Sequence, residues 1–308
     1  MPVRVVESKD NARLKELRRA LAQPARARLA GIDGPHLVEE ALRSGLRVAT
    51  IFAARDFADN DFAAHGAGRA AENADHRAVD EWLNALALPP ETEVLLLPRR
   101  LLASALTTET PQPIAALVEP KIWSWANLLG QNQKKTLLIV LAGVQDPGNL
   151  GTILRSTEAF GVAGVVSLPG TVSAWNPKAV RASAGSVFRV PLVAADEEEC
   201  VARLRAAGVR LFATAVQNAL PAGEADLAGA AALLIGNEGN GVAAELAAEA
   251  DQQITIPCPG PVESLNAAVA ASILLYEAAR QRRAASGRVT RPKTSLAMRL
   301  KTRSGARR

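Results

Sequence analysis

The chain has 308 residues, 48% of them hydrophobic, and a formal net charge of +5. That length exceeds the roughly 100–200 residues usual for one domain, and no apolar run approaches the about 18 needed to span a bilayer, so two folded domains and no membrane span are expected. Only two cysteines occur, Cys200 and Cys258, and the histidines (His36, His65, His76) all fall in the first quarter, so neither disulfide nor metal is expected.

The charge is unevenly spread. Residues 280–308 hold eleven Lys/Arg and no Asp/Glu, leaving 25 basic against 31 acidic side chains in residues 1–279; a second basic stretch, residues 4–47, has ten Lys/Arg against six acids. End-loaded positive charge suits phosphate binding, because each neutralised phosphate releases counterions. A solvated, disordered tail at 284–308 is the plainer reading of the same residues. The start, MPVRVVESKDN, is charged too early for a secretory signal, and a cytoplasmic protein is expected.

In chain order, NARLKELRRAL predicts an amphipathic helix with Leu14, Leu17 and Leu21 on one face and Arg13, Lys15, Arg18 and Arg19 elsewhere. HLVEEALRSG reads as a short helix ending at Gly45, and VATIFAA and EVLLLP as strands. TTETPQPIAALVEP at 107–120 is rich in turn formers and suggests a boundary, followed by a connector over 119–134 with Trp123 and Trp125. From residue 135 the pattern alternates. LLIVLAGV, AGVVSLP, VFRVPLV, VRLFATAV, AALLIG and QITIP are short apolar runs, most of them separated by alanine-rich helical stretches. This predicts a parallel α/β sheet covered on both faces, with ligands beyond the carboxyl ends of its strands.

Three loops stand at such ends. In VQDPGNLGTILRSTEAFG, Asn149 is a candidate helix cap, and Arg155, about 9 Å along the axis, has a stem long enough to bring its guanidinium back toward the loop. The plain alternative pairs Arg155 with Glu158 at i+3. In LLIGNEGNGV, Gly236, Gly239 and Gly241 allow close backbone approach, but the order is that of neither a dinucleotide nor a nucleoside-triphosphate loop. Glu238 repels phosphate there, and suits hydroxyl or ammonium groups or the capping of nearby amides. In ITIPCPGPVESLNAAVAASILLYEAARQR, a rigid proline loop leads to Ser264, placed to cap a helix starting at Leu265 and Asn266, with a thin alanine face. Capping and tight turns alone also explain each loop.

Together and in this order, NLGTILR at 149–155, GNEGNG at 236–241 and IPCPGPVESLNAAVA at 256–270 resemble the three motifs of the SpoU (TrmH) family of RNA ribose methyltransferases. The resemblance covers residues 135–283. More loosely, SKDNARLKELRRAL with GIDGPHLVEEAL is similar to the ribosomal-protein-like RNA-binding domain that precedes the catalytic domain in members acting on ribosomal RNA. It implies a substrate-binding domain at 1–118, a linker at 119–134, a trefoil-knotted methyltransferase domain at 135–283 and a basic tail at 284–308. It also implies S-adenosylmethionine as cofactor, a homodimer, and ribosomal RNA ahead of transfer RNA as substrate. Carried over by position, the cofactor contacts are Thr214, Ala215, Gly236, Ile256, Ser264 and Leu265. The RNA-facing set is Lys9, Asn11, Arg13, Lys15, Arg18 and Arg181. Cys258 departs from the methionine frequent at its position.

Catalytic roles then fall to Arg155, Asn149, Glu238, Ser264 and Asn266. Family accounts make the motif arginine a base, but a guanidinium stays protonated in nearly all proteins. The expectation is that Arg155 binds a flanking phosphate and stabilises the developing alkoxide, Asn149 fixes the loop, and Glu238, Ser264 and Asn266 orient substrate or cofactor. Two rivals remain at this stage, a non-catalytic RNA-binding protein that kept the fold and a nucleotide-cofactor oxidoreductase. The second lacks the glycine fingerprint.

Overall fold

The computed structural model describes residues 2–55, 77–86, 88–130, 135–262 and 264–287, with the backbone alone at 77–80. His65, His76, part of the connector (131–134) and the tail from 288 onward lie outside the described residues.

The first unit runs β1 (Val3–Val5), α1 (Ala12–Ala22), β2 (Ala30–Asp33), α2 (Pro35–Arg43), β3 (Val48–Ala54), α3 (Arg77–Ala85), β4 (Glu93–Leu97), α4 (Arg99–Ala103) and β5 (Ile114–Val118). Its strands order as β1-β4-β3-β5-β2, with β1, β4 and β3 parallel and β5 antiparallel to both β3 and β2. Alternation sorts the side chains between two layers. Phe52, Ala54, Leu95 and Leu97 meet Leu14, Leu17 and Leu21 of α1 and Leu102 of α4. Ile51, Ala53, Ile114 and Ala116 face the layer of α2 and α3. The turn-rich reading of 107–120 changes in its second half. That half is β5, buried at every residue, because a five-residue apolar run finds antiparallel partners on both edges.

After α5 (Trp125–Leu129) the second unit follows: β6 (Leu137–Ala142), α6 (Pro147–Ala159), β7 (Gly164–Ser167), α7 (Pro177–Ala182), β8 (Leu192–Ala194), α8 (Glu197–Ala206), β9 (Arg210–Thr214), β10 (Leu220–Pro221), β11 (Ala231–Gly236), α9 (Ala244–Ala248), β12 (Gln252–Thr255) and α10 (Ala267–Ala285). The described strands order as β10-β12-β9-β11-β6-β7-β8, every pairing parallel. Leu137, Ile139 and Leu141 face α6, α7 and α10, while Leu138 and Val140 face Leu128 of α5, Leu204 of α8 and Leu246 of α9. The sheet is therefore covered on both faces, as its near-continuous apolar strands require.

Two local readings change. VFRVPLV is not one strand: Ser186–Phe188 form a 3-10 turn and only Leu192–Ala194 pair, since Pro191 has no amide for the ladder. The connector is not a free linker, because Leu128 is buried against the second sheet and Trp125 Nε1 donates to Glu199 Oε1 at 3.0 Å.

The two units share one continuous apolar core running from α2 to α6 and α7. Beside it, Arg181 Nη1 donates to Asp33 Oδ1 at 3.0 Å and Oδ2 at 3.3 Å, and the Asp33 side chain is only 3% exposed. Among the described residues no helix is long and apolar enough to cross a membrane, and no cluster of His, Cys, Asp and Glu is placed to hold a metal ion.

Candidate active site

The site forms where β12, β9, β11 and β6, adjacent in the sheet, release their carboxyl ends. β11 and β6 run in register to Gly236 opposite Ala142, so the loops after them leave side by side. A cavity of about 860 Å³ opens there, walled by residues 214–217, 235–242 and 253–258 and by Ser264, Leu265, Ala267, Ala270 and Leu274. Thr214, Ala215, Gly236, Ile256, Ser264 and Leu265 all lie on its wall. Gly236 permits the crossing at its floor. A Cβ on it would lie 2.0 Å from the Gly241 carbonyl carbon and 2.2 Å from the Val242 nitrogen, backbone atoms with no freedom to turn aside.

Two caps differ from expectation. The cap of α6 is Asp146, whose Oδ1 accepts from the Asn149 amide at 2.8 Å, with Pro147 as the first helical residue. The cap of α10 is Asn266, whose Oδ1 accepts from Ala268 and Val269 at 2.9 and 3.2 Å, and the helix begins at Ala267. Ser264 stays outside that helix, exposed on the cavity wall. Asn149 is thus released for another use, and Asn266, while its Oδ1 caps α10, keeps its Nδ2 donor for the same purpose.

That use is a hydrogen-bonded chain joining the three loops. Asn149 Nδ2 donates to Glu238 Oε1 at 3.0 Å, and Asn266 Nδ2 donates to Asn149 Oδ1 at 2.9 Å. Glu238 also accepts from the amides of Gln145 and Asp146, both at 3.2 Å, so it caps the turn leading into α6. Partial burial raises the Glu238 carboxyl, but the bonds from the Asn149 side chain and the backbone amides of Glu238, Gln145 and Asp146 outweigh it and hold the group below the ordinary carboxylate range. Asp146 is likewise lowered, by the Asn149 amide first and then by Lys178, whose Nζ lies 3.1 Å from Oδ2.

Two contributors escaped the sequence reading. Asn237 accepts from the amides of Gly239 and Asn240 at 2.8 and 3.3 Å and donates to the Gly143 carbonyl at 2.9 Å, tying the second loop to the first. Thr171 accepts from the Gly143 amide at 3.1 Å and donates to Leu141 at 3.0 Å. Asn237 was findable, since an asparagine two residues before a glycine is an Asx-turn signal. Thr171 had none, its partner lying 28 residues away.

Arg155 is exposed on α6, and among the described residues it makes no ion pair or hydrogen bond; Glu158 is engaged by Arg189 instead. In the first unit, Asn11 caps α1 through Arg13 and Leu14. Arg13 pairs with Glu16 and Glu93, Lys15 with Asp10, and Arg18 bonds the Lys9 carbonyl and Ser104. Lys9 is exposed, while Arg181 is taken by Asp33.

Sheet and site define an α/β protein that holds a ligand beyond the carboxyl ends of a parallel sheet, between three loops linked by side-chain amides and one carboxylate. The chain belongs to the SpoU family: the model described as the SpoU rRNA Methylase family matches residues 136–276. The chain is 34% identical over 273 residues to the 23S rRNA (guanosine(2553)-2'-O)-methyltransferase RlmP of Bacillus subtilis, covering 88% of this chain and 97% of that protein. Among solved structures it is similar to the SpoU methyltransferase AviRb of Streptomyces viridochromogenes in complex with the cofactor AdoMet, with a TM-score of 0.72, 28% identity, and coverage of 88% of this chain and 98% of that one. An AdoMet-bound rRNA methyltransferase from Sinorhizobium meliloti matches with a TM-score of 0.72, 28% identity, and coverage of 90% and 98%.

Proposed function

We propose that this protein transfers a methyl group from S-adenosylmethionine to a ribose 2'-hydroxyl of ribosomal RNA. The observation that carries this is the chain Glu238–Asn149–Asn266 at the mouth of the cavity, which joins all three family motifs in one polar edge. The cavity fits the cofactor by its chemistry. Among the described residues its lining includes no Lys or Arg to hold phosphate, its walls include Ile235, Val242, Ile254, Ile256, Leu265 and Leu274, and Glu238 at its rim complements a positively charged ligand. Thr214, Ala215, Gly236, Ile256, Ser264 and Leu265 would hold the adenosyl and methionyl parts. When bound, S-adenosylmethionine supplies an electrophilic methyl group on a cationic sulfur.

The chain's own residues then position and stabilise. Asn149 and Asn266, held by each other and by Glu238, orient the ribose. Arg155 is a donor only; it binds the flanking phosphate and stabilises the 2'-oxygen as negative charge develops. Residues 1–118 act as the RNA-binding domain, with Lys9, Arg13, Lys15 and Arg18 meeting phosphates while Asn11 and Arg181 hold the frame. Residues 135–283 form the catalytic domain, the strand order supporting a knotted path there. Val269, Ile273 and Tyr276 stand exposed at i, i+4 and i+7 on α10 beside the cavity, and we assign this face to a second copy of the chain in a homodimer acting in the cytoplasm.

Mapping 2'-O-methylation on total cellular RNA with and without the protein tests the reading. Loss of a ribosomal RNA site is expected; an unchanged map overturns it.

A further inference from the structure

Glu158 follows Arg155 by three residues on α6, the spacing at which carboxylate and guanidinium meet on a helix surface. The two do not pair. Arg189 takes both Glu158 oxygens, Nε contacting Oε1 and Nη2 reaching Oε2 at 3.0 Å. Arg189 is itself held from the first unit, where Nη1 donates to Glu40 Oε2 at 2.8 Å and Ser44 Oγ at 2.9 Å on and just beyond α2. The Arg189 side chain is 34% exposed and Glu158 35%, so the pair sits at the edge of the junction between units. Arg155, one turn away, keeps its donors unspent.

We propose that Arg189 is a positioning residue for Arg155: by saturating Glu158 it denies Arg155 an intrahelical partner and keeps that guanidinium available to the RNA. Because Arg189 is anchored on Glu40 and Ser44, the seating of the first unit on α6 governs the same availability. The inference rests on the reading of Arg155 given above. A free Glu158 has two effects in the same direction: it captures Arg155, and it adds an unpaired negative charge where an RNA phosphate is to bind.

The test is a set of variants assayed for methylation of ribosomal RNA at saturating cofactor: Arg189→Met, Glu158→Gln, the double variant, Arg189→Lys, and Arg155→Ala in parallel. Arg189→Met is expected to lower kcat/KM about two- to fivefold, the scale of an exposed helical ion pair. Glu158→Gln alone is expected to leave turnover unchanged, and the double variant to recover it. Arg189→Lys keeps a cation on Glu158 and is expected to retain most activity. A purely structural clamp would not be rescued by removing Glu158. The proposal is overturned if Arg189→Met turns over normally, if the double variant stays as slow as Arg189→Met, or if neither variant carrying Met folds by circular dichroism. If Arg155→Ala itself turns over normally, the reading of Arg155 fails first, whatever Arg189 does.

Discussion

Arg155 and Glu238 show how the same loops give two charged groups opposite tasks. Arg155 is solvent-facing and unpaired within the described residues, so its removal disturbs no internal contact. Arg155→Ala is expected to lower kcat by about 10²–10³-fold, the loss typical of one preorganised donor, with cofactor affinity by calorimetry unchanged. Glu238, also exposed, spends its carboxylate on bonds within the fold. Its carboxyl is lowered in the folded state, so its support of the α6 turn is present above the ordinary carboxylate range and is lost as pH falls through the lowered folded value. Cofactor binding titrated downward from pH 7 should therefore hold through the ordinary carboxylate range and weaken only below it. Glu238→Gln should bind about fivefold more weakly at pH 7, the size of one net hydrogen bond, and lack that acid-side step.

At the scale of elements, the site depends on how closely two pieces of backbone approach. Gly236 ends β11 against Gly241 and Val242, and Gly151 lets α6 cross α7, where a Cβ would lie 2.4 Å from the Ala179 carbonyl. Gly236→Ala is expected to destabilise the chain by about 1–3 kcal/mol, as overpacking does, and to displace the second loop from the cavity. Denaturant unfolding together with cofactor calorimetry measures both; an unchanged affinity would mean that the loop moves independently of the strand. The last helix shows the opposite strategy, with a long side chain as fastener. Arg282 of α10 donates to the carbonyls of Leu227, Lys135, Thr136 and Gly229, binding the helix to the starts of β6 and β11. Burial lowers its guanidinium from the usual value, and the charge of Asp226 opposes that shift.

The whole molecule is held together by one core and a few arginines. Asp33 is buried and paired with Arg181, so Arg181→Ala is expected to cost about 2–3 kcal/mol in denaturant unfolding, chiefly by stranding the carboxylate. A variant of undiminished stability with a shallower salt dependence of RNA binding would instead make Arg181 a phosphate ligand. The α10 stripe makes the second prediction at this scale. Tyr276→Glu places a charge in the apolar face and should convert a dimer to a monomer in sedimentation velocity; sedimentation of the unaltered chain as a monomer would remove that role.

Much of this was legible in local pattern. The alternation of strands and helices after residue 135, the near-continuous apolar strands and the three loops depend on neighbours within a turn or a pleat, and periodicity records those. What sequence left undecided was partnership. Asn149 and Ser264 were both credible caps, and only the fold made Asp146 and Asn266 the caps, freeing Asn149 to meet Glu238 across 89 positions and Asn266 across 117. Ile114–Val118, placed in a turn-rich boundary, became an inner strand once β2 and β3 flanked it. Arg181, counted among the RNA-facing cations, spends one guanidinium nitrogen on an aspartate 148 residues away. Hydrophobic periodicity is written along the chain because it is enforced within each element; the partner of a polar group is set by the order in which strands assemble, and tertiary structure alone decides that order.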